Sequence, residues 1–337
     1  MRGQAIGVRM AVLVTGGAGF VGLNLVAALL SRSHDVTVFG REALPAAASA
    51  AFARLPGRLR ALQGDVRDEY ALRALFATEN FDTVFPFAAV TSGPAREAEN
   101  PESVLQVNLL GTLATLRAAR DAGVRRVIVP SSTAVYGESF HRHSIMNETD
   151  TPCVPASLYG VTKYAVERMG LRMGELWGMD VIAARISAVF GPWERETGVR
   201  DTIGPHTRLA QAAQRGEAVV LPERIPLYHW VYARDLADGL VHLMTLKDPP
   251  HRVFNVCCGL NWGPEILDWC RALADAFPRF RWTQGPSPTI RFTDDRDRAP
   301  LDISRIRATG WAPKYPPAKA YPDYLAWLQA NPQALAA

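Results

Sequence analysis

The string TGGAGFVG at residues 15–22 follows the apolar run 11–14 and precedes a second apolar stretch at 23–30. Gly16, Gly19 and Gly22 give the spacing G-x-x-G-x-x-G. The first glycine permits a tight turn, the second lets the backbone approach a phosphate, and the third lets a helix pack closely on a strand. A helix that starts here turns its N-terminal amides and positive dipole end towards an anion. A chain with this opening is committed to a strand–turn–helix unit able to seat a dinucleotide pyrophosphate on Gly16, Gly19, Phe20, Val21 and Gly22.

The first half continues in the same alternation. Apolar strand candidates lie at 36–39, 59–63, 83–89, 126–130 and 181–186, with helical stretches between them, one over 103–122 and one carrying Tyr159 and Lys163. Continuous apolar strands separated by helices predict an α/β fold, a Rossmann-type doubly wound parallel sheet covered on both faces. After Gly191-Pro192 proline and glycine become frequent and the alternation breaks down. Residues 10–190 are therefore expected to form the dinucleotide-binding domain, with returning segments near 228–257. Residues 191–227 and 258–330 are expected to form a smaller, irregular substrate domain. Residues 1–9 read as an extension, with Met10 a plausible start.

Composition excludes several classes. The chain is 48% hydrophobic and 21% charged with a net charge of +4, which is ordinary globular content. Its basic residues are scattered, as with Arg117, Arg120, Arg125 and Arg126, and no dense Lys/Arg block suggests nucleic acid. Gly16, Gly17 and Gly19 interrupt the first apolar run too early for a signal or membrane segment, so a cytoplasmic protein is expected. Cys153, Cys257, Cys258 and Cys270 form no CxxC pair and no metal-ligand spacing.

Chemistry enters with Tyr159-Gly160-Val161-Thr162-Lys163, which puts a phenol and an ammonium on one face of a helix. Tyrosine titrates near pH ~10 in water, and a nearby ammonium stabilises its phenolate. Ser132, in the run Pro130-Ser131-Ser132-Thr133-Ala134-Val135-Tyr136-Gly137 at the end of the fifth strand, is placed to hydrogen-bond a reacting oxygen, since ligands bind beyond the carboxyl ends of such strands. At the second strand end, Gly40 and Arg41 stand where an NAD-selective chain carries an acidic residue. A guanidinium there pairs with a 2′-phosphate, so NADP is favoured and NAD remains open. Asp65, after the third strand, is a candidate acceptor for the adenine amino group.

These motifs, together with Asn108-Leu109-Leu110-Gly111-Thr112, Arg185 through Gly191-Pro192 and the segment 231–239, resemble in their order the extended short-chain dehydrogenases/reductases of the NAD-dependent epimerase/dehydratase family, over roughly residues 10–315. The resemblance implies Ser132, Tyr159 and Lys163 as the catalytic set. It adds Val66, Ala88, Ala89 and Asn108 to the cofactor site and implies a homodimer joined through the helices at 103–122 and 159–176. The expected reaction is hydride transfer at a secondary alcohol of a sugar or sugar-like substrate, as epimerase or dehydrogenase. A reductase of another carbonyl compound and a non-catalytic cofactor-sensing module are the alternatives.

The chain departs from the family at several positions. Thr133-Ala134 replaces the Asp-Glu pair that sugar-nucleotide dehydratases use to lose water. Ala188 stands where epimerases usually carry Asn, Tyr228 where they often carry Arg, and Pro86 replaces a usual His. Without those contacts a buried diphosphate loses charged hydrogen bonds, so weak nucleotide binding and a small, polyhydroxylated substrate are expected. Arg298 and Arg224 are candidate replacements. Thr91, Ser92, Ser132, Thr133, Ala188, His206, Tyr228 and Arg298 are the substrate candidates. The loop 193–206, with Glu194, Arg195, Glu196, Arg200 and Asp201, is unusually rich in groups able to bind a polyol or a sugar acid.

Overall fold

The computed structural model describes residues 9–292 and 294–335. The expected N-terminal extension therefore lies, apart from Arg9, outside the described residues.

Strands β1 (Ala11–Thr15), β2 (Asp35–Gly40), β3 (Arg58–Gln63), β4 (Thr83–Pro86), β5 (Arg126–Ser132) and β6 (Asp180–Ile186) alternate with helices α1 (Phe20–Ser31), α2 (Ala46–Phe52), α3 (Glu69–Thr78), α4 (Pro94–Glu99), α5 (Pro101–Leu105), α6 (Gly111–Asp121) and α7 (Leu158–Trp177). The chain then makes β7 (Ala188–Phe190), α8 (Pro205–Arg215), β8 (Ala218–Pro222), β9 (Trp230–Tyr232) and α9 (Ala233–Thr245) before β10 (Val253–Val256) returns to the sheet. All seven strands are parallel in the order β10-β6-β5-β4-β1-β2-β3. Chain order reverses between β1 and β4, and ligands bind at the carboxyl ends of strands at such a switch point.

The unbroken apolar strands are explained by two covered faces. Val12 and Val14 of β1 and Ile128 of β5 belong to one core, with Leu23, Val26 and Leu30 of α1 and Leu236, Leu240 and Leu243 of α9. The intervening Leu13, Val127 and Val129 belong to the other, with Leu72 and Leu75 of α3, Leu116 of α6 and Val166 of α7. A third core gathers the aromatics of the C-terminal half, including Phe190, Trp230, Trp262, Trp269, Tyr321 and Tyr324. It is completed by α10 (Ile266–Ala276), β11 (Arg281–Gly285) and α12 (Pro317–Ala330), with β11 pairing β8 beside it, while α11 (Ser304–Ala308) packs on β10 with Ile306 in the first core. Among the described residues no helix is long and apolar enough to cross a membrane.

Two elements differ from expectation. The fourth strand ends at Pro86 rather than at Ala89. Pro86 has no N–H to continue a ladder, and the next amides turn to Phe85 and to the Thr15 hydroxyl. The helix expected over 103–122 is broken by a π-helical turn at Gln106–Leu110. Asn108 sits in that turn. Its amide donates to the Val90 carbonyl and the Thr162 hydroxyl while its oxygen accepts the Val90 N–H.

Candidate active site

The glycine turn is shaped for close backbone approach. Gly16 has φ +66°, and a Cβ there would meet the Ala88 backbone at 2.6 Å. A Cβ on Gly22 would meet the Gly16 carbonyl at 2.6 Å. Gly19 is the N-cap of α1, no side chain caps the helix, and its first turn has no acidic residue. This amide-rich turn beside a helix N-terminus fits the pyrophosphate of a nicotinamide dinucleotide. Next to it, Arg195 donates through Nη2 to the Ala18 carbonyl at 3.0 Å, while its Nη1 is buried without a partner.

At the adenosine end, a side chain has room at Gly40, where a Cβ would come no closer than 3.6 Å to the Gly16 backbone. Asp65 accepts both the backbone N–H and the guanidinium of Arg67, which hold its carboxyl below the usual range despite partial burial. Arg41 adds a weaker pull in the same direction. Val66 packs against Gly111, leaving no room for a side chain there. Ala88 lies against Gly16, and half-buried Ala89 follows it. Asn108 has both ends of its amide engaged by Val90 and Thr162, so it ties α7 to the end of β4 instead of offering a free amide to the cleft.

Ser132 ends β5, and α7 begins at Ser157, whose hydroxyl caps it by accepting the Gly160 N–H. The Tyr159 N–H is held by Glu97 Oε1 at 3.1 Å, and the same oxygen accepts the Ser92 hydroxyl. Lys163 Nζ lies 5.6 Å from the centre of the Tyr159 ring. The Tyr159 residue is half-buried, but its phenol is enclosed enough for burial to push it above its ordinary value. The Arg200 charge and a hydrogen bond from Ser132 oppose that rise. Burial brings Lys163 down to about 8. The expected tuning of Tyr159 by Lys163 is therefore replaced here by burial opposed by Arg200.

Arg200 belongs to a strap over the carboxyl edge of the sheet. Thr91 donates to the Val199 carbonyl and accepts from the Asp201 N–H. Asp201 accepts the Gly93 N–H and the fork of Arg96. Glu194 is fully buried and accepts from Arg200 Nη2 at 2.6 Å, the Gly204 N–H at 3.1 Å and the Thr207 hydroxyl at 2.6 Å. Most of the charge density noticed in 193–206 is spent in this lacing. Thr91 serves the strap through its backbone. Glu97 and Arg96 were missed by sequence reasoning, because helix-surface charges give no local signal of what they reach.

At the far end, Tyr228 stacks on Trp230 with ring centres 5.3 Å apart. The Arg298 guanidinium lies 4.3 Å from the Tyr228 ring centre and 5.2 Å from that of Phe140, with its Nε buried and unpartnered. Arg224 is instead exposed and ion-paired to Asp297. Thr133 is buried in a single 3₁₀ turn after β5, and Ala188 is half-buried in β7 opposite Trp230. His206 is placed differently from expectation. It is wholly buried, stacked on Phe190 with centres 4.1 Å apart, with Nε2 3.3 Å from the Tyr321 hydroxyl. Burial pushes it down to about 3, so it is a neutral member of the aromatic core, because α8 turns this position inward.

The chain is 29% identical to a UDP-glucose 4-epimerase of Streptomyces lividans, over 95% of this chain and 97% of that one. It is 25% identical to a dTDP-D-glucose 4,6-dehydratase of Mus musculus, over 95% and 89%. The solved UDP-glucose 4-epimerase of Thermus thermophilus, in complex with NAD, superposes with a TM-score of 0.76 at 25% identity, covering 96% of this chain and all of that one. A family model, described as NAD dependent epimerase/dehydratase family, matches residues 12–257. That match runs unbroken from the glycine turn through the Tyr159 helix and the strap to the last strand of the sheet, and the chain belongs to the NAD dependent epimerase/dehydratase family.

Proposed function

We propose that the protein is an epimerase-type enzyme acting at a secondary alcohol of a sugar carried on a nucleoside diphosphate, with the nicotinamide cofactor retained through turnover. Gly16, Gly19, Phe20, Val21 and Gly22 would hold the pyrophosphate, and Asp65, Val66 and Ala88 the adenosine side, where Gly40 and Arg41 favour a 2′-phosphate. When bound, the nicotinamide supplies the hydride acceptor and donor. Tyr159 takes the proton of the sugar hydroxyl and later returns one. Ser132 donates to the reacting oxygen and holds it against the phenol. Lys163, titrating near 8, sits where it can relay that proton. Thr133 and Ala134 carry no carboxylate, which disfavours elimination of water.

The diphosphate reading rests on Arg298, whose buried Nε lacks a partner. Among the described residues this guanidinium makes no ion pair, and it lies over the Tyr228 ring, where it would supply the cation that Tyr228 itself does not. The relatives named for UDP- and dTDP-sugars point the same way. Cofactor retention is supported by Arg195, which reaches the glycine turn at the Ala18 carbonyl and would close over a dinucleotide seated there.

A homodimer through the helical segment from α5 to α6 and through α7 is part of the proposal, supported by the exposed Leu105 and Leu110 on the first and Val161 and Leu176 on the second. Four free cysteines, three of them buried, suit a reducing cytoplasm. The test is calorimetry with UDP and dTDP, combined with release of nicotinamide from the denatured, freshly purified protein. Micromolar nucleotide binding and near-stoichiometric cofactor support the reading. Absence of both overturns it.

A further inference from the structure

The strap contains one charged group that its own lacing leaves incompletely used. Arg200 donates to Glu194 through Nη2 alone, and its Nε is buried with no partner. A donor shut away from water without an acceptor costs stability unless something else fills the gap. The guanidinium lies 5.3 Å from the ring centre of Phe20, the residue that opens α1 behind the glycine turn. Its charge also acts on the Tyr159 phenol. Arg200 is therefore near both the residue behind the cofactor turn and the proton-transferring phenol.

The mount of Arg200 is rigid. Arg200 pairs through its backbone with Thr91 and Thr197, and Glu194 is fixed by three donors. A guanidinium held this way presents donors in a fixed plane, the geometry that suits a carboxylate better than a hydroxyl.

We infer that Arg200 is a specificity-determining residue that binds a carboxylate on the sugar ring, next to the hydroxyl that Tyr159 deprotonates, so that the preferred substrate is a uronic-acid sugar rather than its neutral counterpart. The inference rests on the nucleotide-sugar reading above and narrows it to one substrate class. Nε–H is the donor available to the incoming oxygen, and Glu194 keeps the other side of the guanidinium in place. A neutral hydroxymethyl group at that position leaves the buried donor with a weaker acceptor.

The experiment is calorimetric titration of the dinucleotide-loaded protein with UDP, UDP-glucose and UDP-glucuronate, which differ in the sugar and in its C6 group only. UDP-glucuronate is expected to bind about ten- to a hundredfold more tightly than UDP-glucose. Arg200→Gln should erase that preference while leaving the affinity for UDP within about twofold. Since Arg200→Gln leaves Glu194 buried without its cation, the double variant Glu194→Gln/Arg200→Gln is measured beside it, and Arg200→Lys should keep only part of the preference. If UDP binds and the two sugars bind alike, or if the preference survives in the double variant, the role of Arg200 is overturned while the nucleotide reading stands. If none of the three ligands binds, the nucleotide reading falls and the inference falls with it.

Discussion

Arg185 grips Glu167 through two parallel hydrogen bonds, Nε to Oε2 at 2.9 Å and Nη2 to Oε1 at 2.7 Å, and both side chains are buried. Glu167 lies one helical turn beyond Lys163 on α7, and it also accepts the hydroxyl of Ser131, the neighbour of Ser132. The pair therefore fixes the register between the helix that carries Tyr159 and the strand that ends in Ser132. Arg185 extends the contact by donating to the Tyr136 hydroxyl, which in turn donates to Asn255 on β10.

Removing one member of this pair leaves the other charge buried. Glu167→Gln is expected to destabilise the protein by about 3–5 kcal/mol. The double variant Glu167→Gln/Arg185→Met should recover much of that loss, because no uncompensated charge remains. Urea denaturation of the three proteins checks it, and equal loss in the single and double variants would rule out charge burial as the cause.

Tyr159→Phe deletes the proton-transferring oxygen and keeps the ring beside Lys163. Turnover should fall about 10²–10⁴-fold, with dinucleotide affinity nearly unchanged. Lys163→Met should reduce both. Wild-type turnover in Tyr159→Phe, measured with a substrate found by the titrations above, would remove Tyr159 from the mechanism.

Cofactor preference is expected to be set at the end of β2. Gly40 and Arg41 lack the acceptor for a ribose 2′-hydroxyl and supply a cation, so NADP(H) should bind more tightly than NAD(H). Gly40 has ordinary van der Waals room for a side chain, so Gly40→Asp should fold and shift the preference to NAD(H). Arg41→Ala should weaken NADP(H) alone. Fluorescence titration of both reduced cofactors decides it, and tighter NAD(H) binding by the unmodified protein is the contrary result.

Two wholly buried histidines contribute to the response to mild acid. His206 and His229 are each pushed down to about 3, chiefly by burial, and Arg298 adds to the effect at His229. In the unfolded chain each titrates near ~6.5, so below that pH the unfolded state binds more protons than the folded one. Their stabilising effect is complete above pH ~6.5 and is lost as pH falls towards 3, at about 1.4 kcal/mol per pH unit for each residue. His206→Phe, which keeps the stack on Phe190, should flatten the fall in stability between about pH 6 and 4.5. Urea midpoints across that range measure it; an unchanged slope would mean that His206 is not buried neutral.

The parallel sheet and the glycine turn were legible because each leaves a local signature: an apolar run for a strand covered on both faces, and glycines where the backbone must come close. The Ser132, Tyr159 and Lys163 grouping was legible for a similar reason, since a strand end and one helical turn specify it. The placement of His206 was not, because only the tertiary position of α8 decides whether its second residue faces a cleft or a core. Nor was the tuning of Tyr159 by Arg200, two residues 41 positions apart whose proximity depends on the strap pairing with Thr91. The end of β4 at Pro86 was readable in principle, from the missing N–H, but an apolar run hides where pairing stops.

The position of β10 has a consequence for synthesis. This strand pairs with β6, yet the whole excursion through β7, α8, β8 and β9 is made between them, and α9, made just before β10, covers α1. The face of the first helix that α9 covers therefore stays bare until residues 233–245 leave the ribosome. Contacts of such long sequence separation form late and slowly. The nascent first half must wait, with an apolar helix face exposed, for a segment made after much of the substrate side. Its dependence on chaperones should accordingly peak before translation reaches α9 and drop once that helix is available.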